Sequence, residues 1–484
     1  MSSCETLIRH ARVFDGSGAA DLVADVAIDG DRIAAIGAGL ALDAQNEIDA
    51  EGLALGPGFI DVHTHDDLAA IERPQMTPKI SQGVTTVIVG NCGISASPVD
   101  LRRGFPDPMN LLGDAASFRY PNFALYIDAI RLARPAVNVA ALIGHTALRN
   151  NHMDRLDRSA TGAEISAMRA QLQDALDCGA LGLSTGLAYL SAYSASTGEV
   201  MELARPLAAA GAVYATHMRS ESDAIRDAME EAFSVGRQTR VPVVISHLKC
   251  AGIANWGRSA EVLTALETAR DAQRAGCDCY PYAASSSTLD VRQVDERVKI
   301  RITWSSPHPE VAGRMLAEIA AAWNTTQLDA ARMLRPAGAI YHSMDEADMR
   351  RILRHPATMI GSDGLPCDPL PHPRLWGTFP RVLGRYCREE GLIPLAEAVH
   401  KMTGMPAQRF GIAQRGLIRE GFFADLTLFD PAKIIDTATF AEPMRPALGI
   451  AGVWVNGVLA YNAQGPTNAR QGRFVPRGST GWIQ

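Results

Sequence analysis

The sequence predicts an α/β chain built as a (β/α)8 TIM barrel with a small β-sandwich formed by both termini. Three observations predict it. Eight apolar, strand-like segments recur along the middle of the chain, helix-patterned runs lie between several of them, and both ends carry alternating, turn-punctuated strand patterns instead. Strands alternating with helices favour parallel βαβ units, and eight such units close a barrel. A doubly wound open sheet is the competing arrangement for the same pattern.

At the N-terminal end, residues 6–13 read as a strand, and residues 25–28 and 32–36 flank the hairpin-turn sequence Asp29-Gly30-Asp31. The barrel strands are expected at 59–61, 85–89, 137–143, 180–184, 212–216, 241–246, 277–282 and 358–362. Helical runs at 163–176, 223–235 and 259–275 fall between them. Two connections are long. Residues 93–135 follow the second strand, and residues 284–357 follow the seventh, with helices expected at 309–323 and 328–334. Long excursions in compact folds commonly serve as lids or inserts, so 284–345 is expected to be a lid-like insertion. Towards the C-terminus, residues 425–429 alternate, and 452–461 carry Asn456-Gly457 between apolar strands, a strong hairpin signal. The expected division is a small β domain from 1–58 plus 415–484 and a barrel from 59–414 that contains the insertion.

Composition narrows the function classes. The chain has 484 residues, 47% hydrophobic and 20% charged, which is ordinary globular composition. Its net charge is −7 with no long basic run, which argues against a nucleic-acid partner. No uninterrupted apolar run approaches the roughly 18 residues of a membrane span, and no signal peptide is evident. The eight cysteines form no paired CxxC pattern, so a reduced, cytoplasmic protein is expected. The sequence carries no reading of oligomeric state.

The chemistry gathers at the strand ends. The first strand runs into His63-Thr64-His65, the second into Asn91-Cys92-Gly93, and the third into Gly144-His145. The fifth ends in His217, the sixth in His247 followed by Lys249, the seventh in Tyr280-Pro281-Tyr282, and the eighth in Asp363-Gly364. Barrel active sites assemble at these C-terminal ends. His63 and His65 stand two apart, so in an extended segment both imidazoles face one way and can share a divalent ion. Alone, that pair is equally consistent with two ordinary histidines; His217 and His247 on later strand ends turn the set into a metal site. A free cysteine is usually a small buried apolar residue, but Cys92 among histidines reads as a thiolate ligand able to bridge two ions. Asp before Gly is commonly a turn residue, yet Asp363 at the eighth strand end could take a proton from an attacking water and pass it to a leaving nitrogen. Together these residues point to metal-assisted hydrolysis of a C–N bond or a close relative of one.

The stretch PGFIDVHTH (57–65) is similar to the first-strand signature of the amidohydrolase superfamily. More narrowly, SQGVTTVIVGNCGIS (81–95), YATHMRSE (214–221), VVISHLK (243–249), IGSDGLP (360–366) and HPRLWGTFPRVLGRY (372–386) resemble the D-aminoacylases, the N-acyl-D-amino-acid deacylases. The chain departs from hydantoinase-like relatives in having no lysine on the fourth strand, Leu181-Gly182-Leu183-Ser184-Thr185-Gly186. By the resemblance, Cys92, His217 and His247 hold a tight Zn2+, His63 and His65 form a second, weaker or empty site, and Asp363 is the catalytic acid/base. Lys249, Tyr280, Ser286 and Arg374 match positions that hold the substrate's α-carboxylate, donors suited to that anion. Ser286 lies within Ser285-Ser286-Ser287, which leaves its register open by one residue. Arg292 falls near the position where acidic-substrate members carry a cation, which favours N-acyl-D-glutamate or N-acyl-D-aspartate slightly over neutral side chains. His145 and Tyr189 are candidate helpers of the oxyanion, and each is equally readable as structural. The implied partner is a small-molecule N-acyl-D-amino acid, and D selectivity rests on the resemblance alone. The competing readings are a cyclic-amide hydrolase or deaminase on the same barrel, and a non-catalytic scaffold homologue.

Overall fold

The computed structural model describes residues 3–478. Eight strands occupy the positions expected for the barrel: Phe59–Asp61, Val84–Val89, Asn138–Ala141 running on into Ile143–Gly144, Gly182–Gly186, Val213–His217, Val243–Ile245, Ala275–Cys279 and Thr358–Ile360. Successive neighbours pair in parallel, the eighth strand pairs with the seventh, and a bridge between Thr64 and Gly364 joins first to eighth. That closure excludes the open sheet. Ile60, Val62, Ile88, Ala140, Leu142, Leu181, Val213, Ala215, Val244 and Met359 meet in one buried cluster contributed by seven of the eight strands. Such branched, bulky residues make a barrel interior a packed core, which leaves the strand ends as the place for a site.

The helices pack outside the strands, and their starts are legible. Thr161 caps Gly162–Asp177 through a reciprocal box with Glu164, and Ser196 caps Thr197–Ala210. Both ends of the chain feed one nine-stranded sheet, in which Ala54–Pro57 pairs antiparallel with Leu426–Phe429. The expected Asn-Gly hairpin is there: Asn456 and Gly457 take φ of 49° and 83°, as a two-residue turn with both central residues left-handed requires.

The segment after the seventh strand differs from the expectation in its content. It carries a three-stranded antiparallel sheet, Ser285–Thr288, Ala337–Tyr341 and Ile300–Ser305, with its own buried cluster around Leu289, Ile302, Leu316 and Leu334. The helix expected over 309–323 is broken into a short turn at Pro309–Val311 and a helix at Leu316–Ala322. Gly313 explains the break: it takes φ +85°, and its N–H bonds the Ile302 carbonyl rather than a helical partner. Among the described residues no helix is long and apolar enough to cross a membrane.

Candidate active site

The strand ends converge on the floor of a cavity of about 860 Å3 whose wall includes His65, Tyr189, His217, Glu221, His247 and Asp363. Cys92 Sγ lies 3.2 Å from His63 Nε2 and 3.3 Å from His247 Nε2, and His247 Nε2 lies 3.1 Å from His217 Nδ1. Asp363 Oδ1 is 3.1 Å from His65 Nε2 and 3.5 Å from His63 Nε2. All five expected ligands and the expected acid/base therefore meet. Cys92, His247 and Asp363, each at a strand end, have positive φ of 54°, 36° and 48°. Non-glycine residues hold that conformation only where the surroundings over-determine it, and such strain gathers at functional sites.

The electrostatics suit a cation. Burial alone would raise the Cys92 thiol, but the imidazoles of His63 and His247 hold it well below its ordinary value, which favours the thiolate. His65 and His247 are each pushed up to about 9: burial opposes the charge, and Asp363 and Cys92 in the first case and Glu221 and Cys92 in the second outweigh it. Four imidazoles around one thiolate and one carboxylate, with His65 Nδ1 buried without a partner, form a nitrogen- and sulfur-rich donor set that fits Zn2+. Against its burial, Asp363 is held well below the usual carboxylate range by Arg374 and the neighbouring histidines.

Of the four residues expected to hold the α-carboxylate, Lys249 and Ser286 line the cavity, while Tyr280 and Arg374 are buried behind its wall beside Asp363. The Arg374 guanidinium stands 4.6 Å over the Tyr280 ring, bonds the Ser286 carbonyl at 2.9 Å and reaches Asp363 Oδ2 at 2.8 Å. Lys249 Nζ lies 5.9 Å from the same ring, and Ser286 Oγ, on the cavity wall, is buried without a partner. Arg292 stands apart. It lines the cavity, but its guanidinium is clamped by Asp290 at 2.6 Å and by the Ala188 carbonyl at 2.7 Å. Tyr189 lines the cavity with its ring 4.9 Å from that of His217.

His145 is a correction. It is fully buried, does not line the cavity, and turns Nε2 to Glu199 Oε1 at 2.9 Å, where Arg149 also pairs. Burial keeps His145 below its usual value, against the opposing pull of Glu199. Burial opposes ionisation of Glu199, yet His145 and Arg149 hold its carboxyl at about 2. The sign follows: an acid depressed on folding adds stability above its unfolded value near 4.5, and loses it as the pH falls towards 2. The full shift is worth up to about 3 kcal/mol. Denaturant midpoints of wild type and Glu199→Gln should therefore converge as the pH is lowered from about 5 to about 3, and parallel pH profiles would disprove the assignment.

Four residues that sequence reasoning missed support the site. Asp278 lies 3.3 Å from His63 Nδ1 and accepts from the His247 N–H at 2.9 Å. Alternation gives the signal: Cys277 and Cys279 share one face of the seventh strand, so Asp278 points to the other. Glu221 lies four residues after His217, and Lys79 pairs with Asp61 at 2.8 Å beneath the first strand.

The comparisons with known proteins agree with this geometry. The amidohydrolase family profile matches residues 46–461. D-aminoacylase of Alcaligenes xylosoxydans xylosoxydans is 49% identical over 473 residues, 98% of each chain. N-acyl-D-aspartate deacylase of the same organism is 46% identical over 485 residues, 100% of this chain and 97% of that one. The crystal structure of N-acyl-D-glutamate deacylase from Bordetella bronchiseptica, complexed with zinc and a phosphonate mimic of the reaction's tetrahedral intermediate, superposes with a TM-score of 0.95 at 44% identity, covering 98% of this chain and all of that one. With an eight-stranded barrel, a cysteine among its metal-ligand candidates and relatives aligned end to end, the chain belongs to the amidohydrolase family.

Proposed function

We propose that the protein is a zinc-dependent N-acyl-D-amino-acid deacylase, cleaving a linear amide to a carboxylate and a free D-amino acid. The observation that carries the reading is the convergence of Cys92, His63 and His247 on one point beside Asp363. Cys92, His217 and His247 would hold the tight ion, with His63 and His65 as ligands of a weaker second site. Zinc in such a site lowers the pKa of a water and polarises a carbonyl. The chain's own groups do the rest. Asp363, kept ionised by Arg374, accepts the proton of the attacking water and returns it to the departing nitrogen. Lys249, Tyr280, Ser286 and Arg374 orient the α-carboxylate, and residues of 285–298 line one side of the cavity. Tyr189 is the remaining candidate to assist the oxyanion.

The test is amine release from N-acetyl-D and N-acetyl-L forms of Glu, Asp, Leu and Met by zinc-loaded protein. Hydrolysis of the D forms alone supports the reading. No hydrolysis with zinc bound would point back to cyclic amides or deamination, and absence of both zinc and activity to a scaffold.

Arg292 supports a modest preference for acidic side chains. Because Asp290 already neutralises much of its charge, and exposed ion pairs are worth about 1 kcal/mol at most, the effect is small. Arg292→Ala should lower kcat/KM for N-acetyl-D-glutamate about fivefold relative to N-acetyl-D-leucine. An unchanged ratio between the two substrates would remove Arg292 from the specificity argument.

A further inference from the structure

The two histidines from the fifth and sixth strands each show one ring nitrogen to the metal-ligand cluster and the other to the carboxylate of Glu221. His247 turns Nε2 to Cys92 and Nδ1 to Glu221 Oε1, at 2.9 Å. His217 turns Nδ1 to His247 Nε2 and Nε2 to Glu221 Oε2, at 3.7 Å. The same carboxylate accepts from Lys249 Nζ at 2.6 Å. Glu221 itself is only about one-tenth exposed, and its carbonyl accepts the Ala251 N–H at 2.7 Å, which pins the loop after the fifth strand to the loop after the sixth.

We propose that Glu221 is a positioning residue that orients both histidine ligands and Lys249 at once, and so couples the metal centre to the carboxylate grip. An imidazole that gives one nitrogen to a metal carries its proton on the other, and a carboxylate facing that N–H fixes ring angle and tautomer. Glu221 meets the His247 ring directly at 2.9 Å and faces the His217 ring at 3.7 Å, where its charge rather than a hydrogen bond acts on the N–H. Lys249 also lies 2.8 Å from His247 Nδ1, and in competition for that nitrogen only Glu221 is an acceptor for the proton a metal-bound ring must carry there. The Lys249 part of the proposal rests on the deacylase reading; the histidine part does not.

The experiment separates the two. Zinc affinity is measured by chelator competition on purified wild type, Glu221→Gln and Lys249→Met, without substrate, beside the melting temperature of each zinc-free protein. Glutamine leaves one acceptor oxygen for three donors, so Glu221→Gln should weaken zinc binding ten- to a hundredfold at an unchanged zinc-free melting temperature. Lys249→Met should leave zinc affinity within threefold of wild type while raising KM for the N-acetyl-D-amino acid far more than it lowers kcat. If Glu221→Gln does not fold, Glu221→Asp replaces it, since the shorter carboxylate keeps the charge and loses its reach to one ring. Zinc affinity within threefold of wild type in the Glu221 variant overturns the proposal. So does a tenfold loss in Lys249→Met, which would make the lysine the orienting group. A wild type that binds zinc and hydrolyses none of the D substrates strikes the deacylase reading alone.

Discussion

Asp363→Asn should lower turnover by at least about a thousandfold while the protein keeps its zinc. One group is asked to act twice, first as base towards water and then as acid towards the departing amine, and asparagine performs neither transfer. The expected ligands are untouched: Cys92, His217 and His247 stand at the ends of three separate strands, with His247 Nε2 3.3 Å from Cys92 Sγ and 3.1 Å from His217 Nδ1. The substitution also removes the partner of Arg374, a fully buried cation held 2.8 Å from Asp363. Some loss of stability is therefore expected, and the activity must be normalised to folded, zinc-loaded protein. The informative combination is zinc content near that of wild type with kcat collapsed. Near-normal turnover would exclude Asp363 as the proton carrier. Loss of zinc together with activity would make it a ligand first and a base second.

The strand ends were legible because barrel geometry and residue chemistry point the same way. A histidine or aspartate that ends an apolar run is conspicuous, and five such ends, with Cys92 at a sixth and Tyr280 at a seventh, point to both the fold and the ligand set. What stayed hidden depends on distance in three dimensions. His145 ends the third strand as visibly as His217 ends the fifth, yet the chain turns directly into a helix there and Glu199 captures the ring. Nothing local to His145 distinguishes it, since Glu199 lies 54 positions away in sequence. A different limit holds in the insertion. Its serine-rich strand, Ser285–Thr288, lacks apolar alternation, and it is a strand because Ala337–Tyr341 offers it a ladder. Arg292 shows a third limit: the sequence places a cation near the cavity, but only the structure shows that Asp290, two residues before it, has already engaged it.

Lys79→Met should destabilise the protein by roughly 3–5 kcal/mol, the cost of leaving buried charge without its partner. Lys79 is fully buried in the short helix Thr77–Ile80 that precedes the second barrel strand, and sequence alone gives it no role. Its ammonium bonds Asp61 at 2.8 Å, Thr64 Oγ1 at 2.8 Å and Ser362 Oγ at 2.8 Å, and lies 3.1 Å from Asp66. Burial disfavours the charge, but Asp61 and Asp66 hold the lysine above its ordinary value, so it stays ionised. Asp61 in turn accepts from the Ser362 N–H at 2.8 Å and from the His63 N–H at 3.3 Å, while the Asp363 N–H bonds the His63 carbonyl at 2.7 Å. The cluster thus ties the first strand to the eighth at the seam where the barrel closes, one residue from His63 on one side and from Asp363 on the other. Methionine matches the volume but removes the ammonium that neutralises the buried carboxylates of Asp61 and Asp66. Equilibrium unfolding in denaturant measures the loss, and a change below about 1 kcal/mol would mean that water reaches and solvates Asp61 and Asp66. Activity of the fraction that remains folded should fall as well, because the seam that carries the ion pair also sets the separation of His63 from Asp363. A double variant, Lys79→Met with Asp66→Asn, should recover part of the stability by removing one of the stranded charges. A sum of the two single losses would show instead that Asp66 is stabilised by groups other than Lys79.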